Sequence, residues 1–329
     1  MFYSIRHLTR FRYESPVSES LMEVRMHPRT EGNQRCLSFR LSVDPRARVS
    51  VYRDYLGNSV HHFDVPGKHT ELAILAESLV EMETPAELPK GLRSDAWEEL
   101  DEVIAAGDYW EMLMPSSFAC PSDALQDLIA ELRVHRRGDP LSFLLELNAA
   151  IYDWFDYVPQ STQVDSPIQD AIEARKGVCQ DFAHILIALA RHVRIPCRYV
   201  SGYVHPREDK ARERGADGAT HAWVEALLPG LGWVGFDPTS NLLAGARHIR
   251  TAIGRDYADV PPTKGIFKGA AASELAVSVR VAPSDAPPPP DADLRATPDW
   301  ISVAAPVDSP LDEVSAQQQQ QQQQQQSVW

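Results

Sequence analysis

Up to about residue 83 the chain alternates apolar and polar positions over short spans: Phe11 and Tyr13, then 21–26, 36–43, 49–52 and 60–65. A period of two is that of strands burying one face. Tyr55-Leu56-Gly57-Asn58 is a turn signal between two of them. Strands this short and closely spaced predict a β-rich unit over 1–83, built as a small sandwich. His61 and His62 are adjacent and face opposite ways, which makes a poor metal pair and reads as surface histidines.

From about Pro85 the period becomes helical. Ser94 is placed to cap a helix through Trp97, Leu100, Val103 and Ile104, and Ser122 another through Leu125, Leu128, Ile129 and Leu132. Asp139-Pro140 opens a third, with proline at the first helical position, carrying Leu144, Leu145, Leu147, Ile151, Trp154 and Phe155. Ser166-Pro167-Ile168-Gln169 has the spacing of a capping box for a short helix that runs to about Arg175, where Gly177 stops it.

The most informative stretch follows: Gly177-Val178-Cys179-Gln180-Asp181-Phe182-Ala183-His184. Phe182, Ile185, Leu186, Leu189 and Val193 form a helical stripe, widened by Ala183, Ile187, Ala188 and Ala190, so this helix should be largely enclosed. Gly177 permits a sharp turn before it. Cys179 falls in the first turn, where N–H groups without intrahelical partners and the positive end of the helix dipole favour a thiolate. Asp181 suits the same first turn as a cap. His184, five positions after Cys179, lies more than a turn on and reads as a buried hydrogen-bonded histidine rather than a base.

Ile195-Pro196 breaks the period, and Cys197-Arg198-Tyr199-Val200-Ser201-Gly202-Tyr203-Val204 reads as a strand before a charged, glycine-bearing loop over 206–218. In Thr220-His221-Ala222-Trp223-Val224-Glu225-Ala226-Leu227, His221, Trp223 and Glu225 share one face; in Gly232-Trp233-Val234-Gly235-Phe236-Asp237-Pro238-Thr239, Trp233, Gly235 and Asp237 do. A Pro-Gly turn joins the two strands. A hairpin of them sets Asp237 beside His221, with Cys179 brought opposite by the helix end. Nucleophile, base and orienter is the set that acyl transfer through a thiol needs. A helix followed by three strands predicts an α+β core. Residues 254–262 look irregular and leave open whether Asp256 and Tyr257 border a cleft, and 274–281 make a last strand. Beyond 282 the chain turns to Pro, Ala and Asp and ends in a glutamine tract over 317–326, too poor in apolar residues to fold.

At 329 residues the chain has room for two domains, and 43% hydrophobic residues with a net charge of -14 describe a soluble protein. The acidic balance argues against nucleic acid or acidic membranes as partners. No apolar run reaches the roughly 18 residues that span a bilayer. Met1-Phe2-Tyr3-Ser4-Ile5-Arg6-His7 carries charge where a signal peptide needs an apolar core, so a cytoplasmic location is expected. Cys36, Cys120, Cys179 and Cys197 form no CxxC pair and read as reduced thiols, all but Cys179 in packing contexts.

Gly-Val-Cys-Gln-Asp-Phe-Ala-His, Arg-Tyr-Val-Ser-Gly-Tyr, His-Ala-Trp-Val-Glu and Gly-Trp-Val-Gly-Phe-Asp-Pro-Thr together resemble the bacterial transglutaminase-like proteins, relatives of papain-fold cysteine peptidases with an N-terminal β-rich region. Gly-Arg-Asp-Tyr-Ala-Asp-Val at 254–260 fits the same pattern. The resemblance implies a core in which a cysteine-bearing helix packs on an antiparallel sheet carrying histidine and aspartate. With the change of period and the low-complexity tail, the chain divides into a β-rich domain at 1–83, a catalytic domain with a helical lead-in at 84–282, and a disordered tail at 283–329. The family's nucleophile, base and orienting acid carry over onto Cys179, His221 and Asp237.

The implied activity is cleavage of a peptide or isopeptide bond through a thioester, on a peptide or protein substrate. Transfer of a glutamine acyl group to an amine is the alternative, and a non-catalytic scaffold is an alternative of another class. Gln180 is a candidate second oxyanion donor and Trp223 a candidate pocket wall. No cofactor is implied. No metal is expected either, since Cys179 and His184 have no second pair at zinc spacing. The oligomeric state is left open.

Overall fold

The computed structural model describes residues 1–163, 165–206, 214 and 220–284, with the backbone of 301–303. Most of the charged loop and nearly all of the glutamine-rich tail lie outside the described residues. The N-terminal portion comprises β1 (Phe2–Val24), β2 (Gln34–Asp44), β3 (Ser50–Arg53) and β4 (Ser59–Met82). Instead of several short strands, β1 and β4 are ribbons of 23 and 24 residues, paired antiparallel along most of their length. Register shifts between Arg12 and Val17 and between Val17 and Glu19 bend the pair. Phe11, Leu72 and Ile74 from one side of the bend share a core with Met22, Val24, Phe63 and Val65 from the other. One sheet folded over itself thus encloses a sandwich-like core. His61, expected at the surface, is buried there against Phe39 and His27, where burial holds its pKa down at about 4.

The helical lead-in contains α1 (Ala96–Ala106), α2 (Trp110–Leu113), α3 (Asp123–Glu131), α4 (Pro140–Trp154), the short β5 (Asp156–Tyr157), α5 (Ile168–Ala174) and β6 (Lys176–Gly177) before α6 (Cys179–His192). Two caps fall where the sequence places them. Ser122 accepts from the Leu125 N–H, and Asp139 from the Leu141 and Ser142 N–H groups, with Pro140 opening α4. Two do not. Asp95, without a side-chain cap bond, replaces Ser94 at the start of α1, and Ser166 accepts from the Gln163 N–H instead of capping α5. The α5 terminus is set by Arg175 in the left-handed region at φ 52°, not by Gly177.

The remaining strands are β7 (Cys197–Val204), β8 (His221–Leu228), β9 (Gly232–Asp237), β10 (Leu242–Leu243) and β11 (His248–Gly254), in the antiparallel order β10-β9-β8-β7-β11. α6 packs on this sheet: Phe182, Ile185, Leu186 and Leu189 join Ala222, Val224 and Ala226 in one core. β11 carries no sequence signal used above, yet it supplies an edge of the sheet. No helix among the described residues is long and apolar enough to cross a membrane.

Three later strands are β12 (Thr263–Phe267), β13 (Ser273–Pro283) and β14 (Ile301–Val303). β12 and β13 pair with β1, and β14 with β13. Residues 263–283, grouped by sequence with the catalytic portion, therefore complete the N-terminal sheet. The physical reason is the second edge of β1, whose N–H and C=O groups need a partner once β4 has taken the first.

The two portions are joined along β11. Gln34 Nε2 donates to the Arg250 carbonyl (2.8 Å), and the Arg250 N–H donates to Gln34 Oε1 (2.8 Å). Asn58 does the same for Ile253, donating to its carbonyl at 2.8 Å and accepting from its N–H at 2.9 Å. Each buried carboxamide stands in for a strand on an otherwise open edge. Tyr3, Ile5, Val80 and Met82 pack on Tyr203 and Ile249 beside it, and His7 Nδ1 meets the Tyr203 hydroxyl at 2.9 Å.

Two outcomes are expected. Asn58→Ala and Gln34→Ala should each cost about 1–3 kcal/mol in urea unfolding, because each strands buried main-chain groups. Burial holds His7 down at about pH 3, whereas an unfolded imidazole titrates near 6.5. Its stabilising contribution is therefore full above pH 6.5 and lost as pH falls toward 3, by about 1.4 kcal/mol per pH unit. Unfolding measured from pH 7 to 4.5 should show a shallower slope in His7→Phe, whatever that variant's absolute stability.

Candidate active site

The cysteine helix begins at Cys179, with Val178 at its N-cap. Valine offers no capping oxygen, and the task passes to Asp181, which accepts from the Val178 N–H (2.8 Å) and from Thr162 Oγ1 (2.6 Å). Asp181 thus has the structural role expected of it. Burial raises its pKa to about 6, against those two donors. Gly177 is needed for this cap: a Cβ there would stand 2.8 Å from Asp181 Oδ2. Close approach, not a sharp turn, is what requires the glycine. The first bond of the helix runs from the Phe182 N–H to the Val178 carbonyl (3.1 Å), so the Cys179 N–H belongs to the helix end.

β8 and β9 pair with Val224 opposite Phe236 and Glu225 opposite Gly235. This register puts Asp237 at the end of β9 diagonal to His221 at the start of β8, as the alternation predicts. His221 Nε2 lies 2.9 Å from Asp237 Oδ2, and both side chains are almost wholly buried. Nε2 being taken, Nδ1 is the ring nitrogen left for Cys179, which lies near enough to raise the ring's pKa; Nδ1 itself is buried and makes no hydrogen bond among the described residues. Burial disfavours a charged ring here. The charge and hydrogen bond of Asp237, together with Cys179, outweigh it and raise the His221 pKa to about 10. Asp237 is likewise penalised by burial, yet His221 and then His248 hold its carboxyl well below the usual range. The three residues expected to act together are together.

Three tyrosines lie within electrostatic reach of Cys179. Burial, first, and then Cys179 keep the hydroxyls of Tyr157, Tyr199 and Tyr257 protonated. The sequence leaves open whether Asp256 and Tyr257 border a cleft; Tyr257 is buried. Asp256 serves the fold, accepting from the Ala258 and Phe118 N–H groups at 2.9 Å each. His184 is the buried histidine anticipated. Its Nε2 accepts from the Tyr257 N–H (3.2 Å), its ring stacks on Phe118 at 5.2 Å, and burial, aided by Arg191, lowers its pKa to about 3. It is no base for Cys179.

Gln180 is buried in the first turn beside Cys179. Trp223 is fully buried, its ring 6.3 Å from His221 and inclined by 26°. Trp223 also walls a cavity of about 530 Å³, with Trp233, Glu225, Arg250 and His248. The other cysteines have different surroundings. Burial pushes Cys197 up to about 12 and Cys36 to about 11, and no disulfide joins any of the four cysteines.

Sequence reasoning missed His248. It comes from β11, and its Nε2 reaches Asp237 Oδ2 at 3.3 Å. No motif surrounds it, and its relevance appears only once β11 is laid beside β7. His221, Asp237 and His248 are also a group of described residues close enough to hold a metal ion, with ligand atoms within 4.8 Å of one another. Hydrogen bonds among the three already account for that closeness.

Residues 3–81 match the bacterial transglutaminase-like N-terminal region, and residues 130–238 the transglutaminase-like superfamily. An uncharacterised Mycobacterium leprae protein is 34% identical over 275 residues, covering 84% of this chain and 96% of its own. An uncharacterised Mycobacterium tuberculosis protein is 35% identical over 302 residues, covering 85% of this chain and 92% of its own. In fold the chain is similar to a Cytophaga hutchinsonii protein described as a candidate cysteine protease, with a TM-score of 0.69 at 23% identity over 92% of this chain and 97% of that one. Cysteine helix, histidine–aspartate hairpin and folded-over N-terminal sheet thus occur together, and the chain belongs to the bacterial transglutaminase-like family.

Proposed function

We propose that the protein cleaves a peptide or isopeptide amide bond through a thioester on Cys179. The observation that carries this reading is a buried His221 ring near Cys179 whose Nε2 is held by Asp237 at 2.9 Å and whose Nδ1 makes no hydrogen bond among the described residues. His221 takes the thiol proton, and the raised pKa of its ring favours the resulting thiolate–imidazolium pair. The thiolate attacks the carbonyl carbon, and the Cys179 N–H faces the oxyanion that forms. The imidazolium gives its proton to the leaving amine as the C–N bond breaks. Water, deprotonated by His221, then opens the thioester to a carboxylate and restores the thiol.

Acyl transfer is the second reading. It uses the same residues and differs only in that an amine reaches the thioester. Four cysteines, none in a disulfide, fit a reducing compartment such as the cytoplasm. A protein that served only as a scaffold would have no use for a thiol paired with a charged imidazole.

Intact mass spectrometry after exposure to a mixed peptide pool should show an acyl adduct in wild type and none in Cys179→Ala. Free carboxylate without uptake of a labelled amine supports hydrolysis, and amine uptake supports transfer. Iodoacetamide at neutral pH should modify Cys179 far faster than Cys36 or Cys197; equal rates would remove the catalytic reading. Asp237→Asn should lower turnover by on the order of a hundredfold or more, since the ring loses its orienting carboxylate. The raised His221 pKa means that its proton, needed by the leaving amine, is present below about pH 10 and lost above it. Turnover should therefore fall as pH approaches 10, while thiol alkylation does not.

A further inference from the structure

Asp237 is gripped at both of its oxygens. Oδ1 accepts from the Thr239 N–H (3.0 Å), and Oδ2 meets His221 Nε2 at 2.9 Å and His248 Nε2 at 3.3 Å. The second histidine has a defined tautomer, because its Nδ1 accepts from the Gly245 N–H at 3.2 Å. An imidazole that accepts at Nδ1 carries its proton on Nε2 when neutral. Burial, with the nearby charges of His221 and Arg247, keeps His248 neutral against the pull of Asp237. Trp223 closes the ring from the side, edge-on at 5.3 Å.

We propose that His248 is a positioning residue for the reaction: its Nε2–H fixes Oδ2 of Asp237 so that this oxygen aims the His221 ring at Cys179. The proposal rests on the reading that Cys179 and His221 carry the amide chemistry. Without that donor, Oδ2 keeps His221 alone, and rotation of the carboxylate about its Cβ–Cγ bond is opposed only by His221 and by the Thr239 N–H on Oδ1. The imidazolium then loses its fixed direction, and with it part of the preference for a thiolate at Cys179. Asp237, Cys179 and Arg247 act on the charge of this pair of histidines, and Glu225 and Arg250 line the same cavity as His248. The hydroxyls of Tyr157, Tyr199 and Tyr257 are uncharged throughout the range tested.

The test uses the full chain and follows the rate of Cys179 alkylation by iodoacetamide against pH, with thermal unfolding of each variant alongside. In wild type the acidic limb of the profile should lie below that of His221→Ala, in which the thiol has lost the imidazole. His248→Leu should move the limb up by half a pH unit or more, about threefold in rate on the limb. His248→Gln, which keeps an N–H at the same reach, should stay close to wild type. His248→Asn, whose carboxamide is too short to reach Oδ2, should behave as His248→Leu does and serves if the leucine variant does not fold.

A wild-type limb equal to that of His221→Ala would sink the catalytic reading whatever His248 does. A low wild-type limb that stays put in folded His248→Leu or His248→Asn would overturn the positioning role alone. A wild-type rate that rises on adding EDTA would do so as well, by assigning the two histidines and Asp237 to a bound metal.

Discussion

A carboxylate taken out of water governs the arrangement of this protein. Burying a charge costs several kcal/mol unless hydrogen-bond donors and an opposite charge replace the lost water. Asp237 is 2% exposed, and its compensation comes from the Thr239 N–H, His221 and His248. Those donors belong to the turn after β9, the start of β8 and the start of β11. One buried charge therefore draws three points of the sheet together, and the partner it stabilises most, His221, is the group that faces Cys179.

The N-terminal sheet belongs to this arrangement. β11 is an edge strand, and an edge with unpaired main-chain groups is a weak place to hold a site residue. Gln34 and Asn58 close that edge from the N-terminal side. Arg198 and Arg250 share the buried Glu225, and Arg198 also reaches Glu31 of the N-terminal portion. With β12 and β13 returning to pair with β1, the chain crosses between its two halves more than once. The strand that bears His248 is thus held by the portion of the chain least expected to affect chemistry.

The cysteines illustrate how surroundings, not residue type, set what burial does to a thiol. Cys197 lies fully buried at the start of β7, where removal of water disfavours its thiolate. Cys179 is also buried, but it sits at a helix N-terminus against an imidazole whose charge is secured by Asp237. Burial penalises an ion only until a partner of opposite charge is buried with it.

Local physics in the sequence was enough for much of this. The stripe from Phe182 to Val193 dictates an enclosed helix, the alternation of 221–227 and 232–237 dictates a hairpin, and its register sets Asp237 beside His221. Ser122 and Asp139-Pro140 mark helix starts because capping is decided within a few residues. What tertiary structure alone decided has partners far apart in the chain. Gly177 is explained by Asp181 folding back over it, the pairing of the 263–283 strands with β1 by an open edge of that strand, and His248 by a strand laid beside β7. No period or spacing within a segment records which distant segment will need it, because that need arises only when a buried charge or an unpaired edge must be satisfied.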